Sequence, residues 1–162
     1  MFELTVCNTF ILVLARVSGL MLSAPVLGSG NIPPQIKVGL SALIAMLLTS
    51  VLPVQPGPLP EEPLRFALMG VTELGIGLML GFMLTIIFAA IQVAGQIIDM
   101  LSGFALMNVF NPALETQVPV YGFFLFIVAM LYLLLVDGHH LMLMGIARTF
   151  DRIPLGGLDI DA

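Results

Sequence analysis

The sequence predicts an all-α membrane protein with about four long apolar helices and a short amphipathic helix near its C-terminal end. Of its 162 residues, 59% are hydrophobic and only 9% are charged, whereas a soluble domain carries about 45–50% apolar and about 25% charged residues. Five basic and ten acidic side chains are too few to cover the surface of a water-soluble chain of this size. The composition therefore excludes a soluble enzyme and a nucleic-acid-binding protein with a basic face.

Proline and glycine residues separate the apolar stretches from one another. These stretches cover residues 4–27, 38–54, 66–98 and 118–136, and the amphipathic helix covers residues 139–150. The links before the second and third stretches are proline-rich, which excludes helix there because proline removes a backbone donor and restricts the residue before it. The third stretch has roughly 33 residues, more than the about 20 that cross a hydrocarbon core, so it protrudes from the bilayer, tilts strongly or breaks near its glycines.

Two of the apolar stretches carry polar and small residues along one helical face. With about 100° of rotation per residue, the glutamines, the acidic residues and most glycines of the third stretch fall within roughly 140° of one another. The first stretch carries Arg16 on a similar face. We define the polar seam, which we expect to be buried, as Arg16, Glu73, Gly77, Gly81, Gln92, Gln96 and Asp99. Close packing of helices through small residues is one explanation of the seam, and contact with a partner subunit or a water-filled passage is the other.

Arg16 lies inside an apolar stretch and needs a compensating group. An ionised side chain in the apolar region costs about 2.5–3.5 kcal/mol on insertion scales, so it normally has a partner or water. We therefore expect Arg16 to pair with Glu73 or with an acidic residue of another subunit. The four predicted helices also carry more polar and small surface than this chain buries alone, which predicts a hetero-oligomer.

No motif in the sequence indicates an enzyme, a cofactor or a metal site. Phosphate-binding loops, nucleophile elbows and His-Glu-x-x-His helices are absent from the sequence. The one candidate metal cluster is Asp137-Gly138-His139-His140, but adjacent histidines on a helix point about 100° apart and no second His or Cys group completes a tetrahedral site. We interpret this cluster as a helix start with Asp137 near the N-cap position.

The segment from Met100 to Gln117 is apolar but is broken by glycine, asparagine and proline. Irregular backbone at membrane depth is tolerated only when it is buried in protein or lines a cavity. The segment is therefore either an interfacial loop with a short amphipathic turn or a hydrophobic gate that closes a pore by excluding water.

Motifs in a fixed order along the chain resemble a known family. They are Arg16 with Gly19 and Pro25, Ile32-Pro33 with Lys37, Glu73 with Gly77 and Gly81, Ala94-Gly95-Gln96-Ile97-Ile98-Asp99, Gly103, Asn111-Pro112 with Gln117 and Pro119, Asp137-Gly138-His139, and Pro154-Leu155-Gly156. In this order and spacing the chain resembles the flagellar biosynthesis protein FliR family and its counterpart, the export-apparatus T component of type III secretion. The resemblance implies that residues 1–162 are one export-gate membrane domain, the N-terminal part of a longer family domain.

The resemblance also implies a function in protein secretion. Members sit with P-type and Q-type membrane proteins in an export gate of the bacterial inner membrane, partly on its periplasmic side and within the flagellar basal body. Unfolded protein substrates pass through this gate, lipids surround it, and no enzyme activity, cofactor or nucleic acid is involved. The family's plug loop corresponds to Gly103, Phe104, Met107, Phe110, Asn111 and Pro112, with Asn111 standing where the family often has aspartate.

Two other functions are compatible with the residues themselves. A small-solute membrane transporter would use Arg16, Glu73 and the glutamines as binding groups. A purely structural subunit of a membrane bundle would use the polar seam for packing alone.

Overall fold

The computed structural model describes residues 2–25, 27–30, 32–51, 62–103 and 119–156, and every regular element within these ranges is an α-helix. The helices are α1 (Phe2–Ser23), α2 (Pro34–Val51), α3 (Pro63–Leu101), α4 (Val120–Leu135) and α5 (Gly138–Arg152). The predicted all-α class is therefore confirmed.

Proline sets most of the helix boundaries. α2 and α3 begin on Pro34 and Pro63, a few residues before the predicted apolar stretches, because proline is favoured in the first helical turn, where its missing N–H has no intrahelical partner to lose. α1 ends at Ser23, two residues before Pro25, as the restriction on residues preceding proline requires. α3 continues through its glycines for 39 residues, so a break near those glycines, one of the three alternatives for this stretch, does not occur.

Three helices are long and apolar enough to cross a membrane. They are Thr5–Ser23 within α1, Pro34–Val51 and Pro63–Leu101, and α4 with α5 adds a fourth if that pair forms one broken span. α2 and α4 expose most of their large apolar side chains, including Met46, Val51, Leu131 and Leu135. This composition and exposure confirm the predicted membrane class, since a water-facing helix of this length would carry a polar face.

One compact unit comprises residues 1–83 and 140–162. Its core is built around α1, whose Leu12, Val13 and Val17 have no exposed surface. α2 contributes Ile44 and Ala45 to the same core. The remaining buried members come from the rest of α1, from α5 and from the turn after it: Leu20, Met21, Ile146, Phe150 and Leu155. The four-residue spacing of the buried side chains on α5 confirms the predicted amphipathic helix.

The second compact unit comprises residues 84–139 and contains the end of α3 and all of α4. Phe88, the one large apolar residue that interrupts the polar face of α3, is 6% exposed. Its ring packs edge-on against Phe126 of α4 with ring centroids 6.0 Å apart, the geometry that aromatic pairs prefer. Phe88 is therefore a packing residue on that face.

Candidate functional site

Arg16 of α1 and Glu73 of α3 form a buried ion pair. Arg16 Nε donates to Glu73 Oε2 at 2.6 Å, and Arg16 Nη2 lies 2.5 Å from the same oxygen. The two side chains are 0% and 2% exposed. Of the two partners expected for Arg16, the structure places the internal one beside it.

α5 and the turn after it complete the surroundings of the guanidinium group. Arg16 Nη1 donates to Thr149 Oγ1 at 3.0 Å, and Nη2 donates to the carbonyl oxygen of Ile153 at 3.1 Å. The ring of Phe150 lies 4.2 Å from the guanidinium carbon, within the range of a cation–π contact. All three nitrogens of Arg16 therefore donate to protein groups.

The second oxygen of Glu73 binds the turn that follows α5. Glu73 Oε1 accepts a hydrogen bond from the backbone N–H of Gly156 at 3.3 Å. Gly156 has φ of +75°, a left-handed conformation that glycine adopts at little cost and that other residues avoid. We call Arg16, Glu73, Thr149, Ile153 and Gly156 the Arg16 cluster.

Glycines allow α1 and α3 to approach closely enough for this pairing. A Cβ added at Gly77 would meet the carbonyl oxygen of Arg16, and one added at Gly19 would meet the carbonyl oxygen of Leu74. At Gly81 an added Cβ would meet the Ser23 hydroxyl. These glycines therefore allow close helix packing, which is one of the two explanations given for the polar seam.

The Arg16 cluster is chemically saturated. Across the described residues no buried side-chain nitrogen or oxygen lacks a hydrogen-bond partner. Pairing and hydrogen bonding offset the free-energy cost of removing a charge from water, and loss of one partner leaves the other charge uncompensated. The arrangement is therefore suited to holding α1, α3 and α5 together.

Asp99 of α3 makes a separate contact in the second unit. Its carboxylate accepts hydrogen bonds from the backbone N–H of Tyr121, at 3.1 Å to Oδ1 and 3.0 Å to Oδ2, and from that of Gly122, at 3.1 Å to Oδ2. These N–H groups belong to the first turn of α4, whose N-cap residue, Pro119, makes no side-chain cap bond. Asp99, 4% exposed, therefore caps α4 from another helix.

The other members of the polar seam differ in exposure. Gly77 and Gly81 are buried, Gln92 is partly buried and Gln96 is exposed. Burial of Gln96 against a partner subunit or a water-filled passage stays a prediction, since this chain by itself does not bury it. The reason is its position, since α4 packs against the face of α3 that carries Gly95 and Asp99, and Gln96 lies about 100° around the helix from Gly95.

The expected plug residues lie mostly outside the described residues. Phe104, Met107, Phe110, Asn111 and Pro112 fall there, whereas Gly103 is described and has φ of +79° just after the end of α3. A left-handed glycine at this position ends a helix and redirects the chain.

Asp137 and His139 lie at the start of α5, as interpreted from the sequence. Asp137 directly precedes Gly138, the first residue of the helix, and has φ of +54°. The His139 Nε2 and Asp137 Oδ1 atoms are 3.9 Å apart, and both side chains are substantially exposed.

Sequence reasoning did not identify the contacts that α5 and α4 contribute. Thr149 is a polar residue on the face of α5 that buries Ile146 and Phe150, and a polar residue on a buried face indicates a hydrogen-bond partner. The segment before α4 offers only Val118 and Pro119, neither of which caps a helix. That absence signals an acceptor elsewhere in the chain, which is Asp99.

Comparison with known proteins gives one consistent family. The model of "Bacterial export proteins, family 1" matches residues 7–161. The flagellar biosynthetic protein FliR of Bacillus subtilis (strain 168) is 33% identical over 146 residues, which cover 90% of this chain and 56% of that protein. FliR of Escherichia coli (strain K12) is 31% identical over 151 residues, which cover 93% and 57%. The chain thus spans a little more than half the length of the curated relatives it matches.

Proposed function

Since this chain belongs to family 1 of the bacterial export proteins, we propose that it is a component of the inner-membrane export gate of a flagellar or type III protein secretion system. In this role it helps to form and plug the channel for unfolded export substrates. The observation that carries the proposal is the family match over nearly the whole chain. The buried contacts of Arg16, Glu73, Gly77 and Asp99 support it, because they use residues of the motifs that resemble that family.

Exposed charges near the Arg16 cluster support the proposal that α5 does not face lipid as an ordinary membrane-spanning helix does. Arg148, Asp151 and Arg152 are exposed on α5, in the same turns as Thr149, which binds Arg16. Arg16 lies about 10 Å from one end of α1 and about 21 Å from the other, at 1.5 Å per residue. Charged side chains facing lipid at that depth would each cost about 2.5–3.5 kcal/mol. We therefore propose that protein or water surrounds this level, with part of the gate on the periplasmic side of the membrane.

Unburied apolar surface supports assembly with other membrane proteins. Phe124 and Tyr132 of α4 are 58% and 67% exposed, and Phe82 of α3 is 60% exposed. Aromatic residues on helices with small-residue faces are typical of surfaces that meet further helices or lipid. P-type and Q-type export-gate proteins are the proposed partners, and lipids cover the remaining apolar surface.

The small-solute transporter is less well supported. It would require Arg16 and Glu73 to present free donors and acceptors to a ligand. Each nitrogen of Arg16 and both oxygens of Glu73 already bind protein groups. A solute would therefore have to displace several buried hydrogen bonds, each of which is costly to leave unmade.

Co-purification tests the assembly. When the full chain is expressed with the other gate proteins and captured by an affinity tag, we expect two further small membrane proteins in fixed stoichiometry. A homodimer that takes up a small solute when reconstituted in vesicles would contradict the export gate and support the transporter.

Ion leakage tests the plug. Deletion of residues 103–117 in the assembled complex should make the membrane leaky to ions, because the apolar side chains that exclude water from the closed channel are removed. The control is the same complex with Val93→Ala, an exposed apolar position on α3 outside the polar seam. Conductance equal to that of the unaltered complex would refute plugging while leaving the assembly proposal standing.

A further inference from the structure

The start of α4 is held by a single acidic side chain from α3. The N–H groups of Tyr121 and Gly122 occupy the positions that an N-cap side chain normally serves, and the Asp99 carboxylate accepts from both of them. Pro119, the N-cap residue itself, supplies no side-chain acceptor. Asp99 thereby bonds across 22 residues of sequence, joining the end of one helix to the beginning of the next.

Two glycines make this contact possible. A Cβ added at Gly95 would lie 2.5 Å from the Cα of Gly122 and 2.8 Å from the carbonyl oxygen of Tyr121. Gly95 lies one helical turn before Asp99, on the same face. The close approach of the two backbones at Gly95 and Gly122 is what brings the Asp99 carboxylate within reach of the N–H groups.

The charge of Asp99 has no lysine or arginine to compensate it within its unit. The sequence from 84 to 139 contains neither lysine nor arginine. The favourable interactions of the carboxylate are therefore the N–H groups and the positive end of the α4 dipole, both of which stabilise an anion at a helix N-terminus. Removal of the carboxylate leaves two N–H groups of α4 without this acceptor.

We propose that Asp99 is a positioning residue of the export gate, which fixes the start of α4 on α3 and thereby keeps the resting channel closed. This inference rests on the proposed plugging function. Without the Asp99 cap, α4 is free to shift along or away from α3, and the channel spends more time in a conducting arrangement. A merely structural role would lower the amount of assembled complex instead.

The experiment compares ion conductance of assembled complexes that carry Asp99→Ala, Asp99→Asn or Gly95→Ala. We expect Asp99→Ala to raise the resting leak about fivefold, since a cap is worth on the order of 1 kcal/mol and about 1.4 kcal/mol corresponds to a factor of ten. Asp99→Asn retains one acceptor oxygen and should give a smaller increase. Gly95→Ala should leak as well, because its methyl group pushes α4 away while Asp99 is intact. Val93→Ala, an exposed apolar position of the same helix outside the polar seam, is the matched control and should leave the leak unchanged.

The outcomes separate this inference from the proposed function. If deletion of residues 103–117 leaks while the Asp99 and Gly95 variants assemble and conduct like the unaltered complex, the positioning role is overturned and plugging stands. If Asp99→Ala fails to assemble, Asp99→Asn decides, and an assembled Asp99→Asn complex with unaltered conductance also overturns the role. If the deletion itself does not leak, both the plugging function and the role of Asp99 are overturned.

Discussion

Removal of one partner of the buried Arg16–Glu73 pair is the sharpest perturbation that the structure suggests. Glu73→Leu keeps the volume of the side chain but leaves the Arg16 guanidinium without its counter-ion at a position with no exposed surface. Loss of one member of a buried pair costs about 3–5 kcal/mol, a large part of the about 5–15 kcal/mol that stabilises a folded protein. The expected fall in Tm is about 6–20 °C.

The double variant Arg16→Met/Glu73→Leu should be far less harmful than the sum of the single variants. It removes both charges and leaves the Ile153 carbonyl and the Gly156 N–H without their partners, at about 1–3 kcal/mol each. Its cost is therefore about 2–6 kcal/mol, against about 6–10 kcal/mol if two single losses simply added. Thermal unfolding of the detergent-purified chain, followed by circular dichroism, measures all three variants.

A matched control uses an exposed ion pair of the same chain. Arg65 and Glu62 lie 3.7 Å apart with side chains 65% and 76% exposed, so Arg65→Met should change the free energy of unfolding by at most about 1 kcal/mol. The reasoning is refuted if the two single costs add in the double variant within about 0.5 kcal/mol, because uncoupled residues do so. It is also refuted if Glu73→Leu is no more harmful than Arg65→Met.

Two further predictions concern glycines. Gly77→Ala should lower the free energy of unfolding by about 1–3 kcal/mol, because its methyl group meets the Arg16 backbone. Gly75→Ala on the same helix is the control: an added Cβ has nothing within 4 Å, and alanine is favoured over glycine by about 1 kcal/mol in helices, so this variant should be neutral or stabilising. Equal Tm values for the two variants would contradict the packing role of Gly77. Gly156→Ala should lower the free energy of unfolding by about 1–2 kcal/mol, because alanine is strained in the left-handed backbone conformation of this residue. Gly30→Ala, where an added Cβ meets nothing, is the control. A Gly156→Ala chain as stable as the Gly30→Ala chain would mean that the turn is not held in this conformation.

The helices could be predicted from sequence because they depend on local properties. Hydrophobic length and proline positions determine where a helix is favoured and where it ends, and α1 to α5 follow these signals closely. α2 and α3 start at Pro34 and Pro63, before the apolar stretches begin, because proline is favoured at the first helical position. The shared face of Glu73, Gly77 and Asp99 also follows from helical rotation alone.

The partners of those residues could not be predicted in the same way. Arg16 had two possible counter-ions by sequence, and only the packing of α1 against α3 places Glu73 beside it. Helical rotation grouped Asp99 with Gln96, but the position of α4 buries the first and leaves the second exposed.

The amino-acid sequence by itself determined the membrane class, the helices and the requirement that a charge inside an apolar stretch find a partner. Each of these follows from transfer free energies and from contacts between residues close in the chain. The tertiary structure decided which groups meet: Thr149, Ile153 and Gly156 around the Arg16–Glu73 pair, and the first turn of α4 around Asp99. These contacts join residues far apart in sequence, and apart from the Thr149 hydroxyl the new partners are backbone N–H and carbonyl groups. Nearly every residue carries these groups, so side-chain identity does not reveal which of them meet.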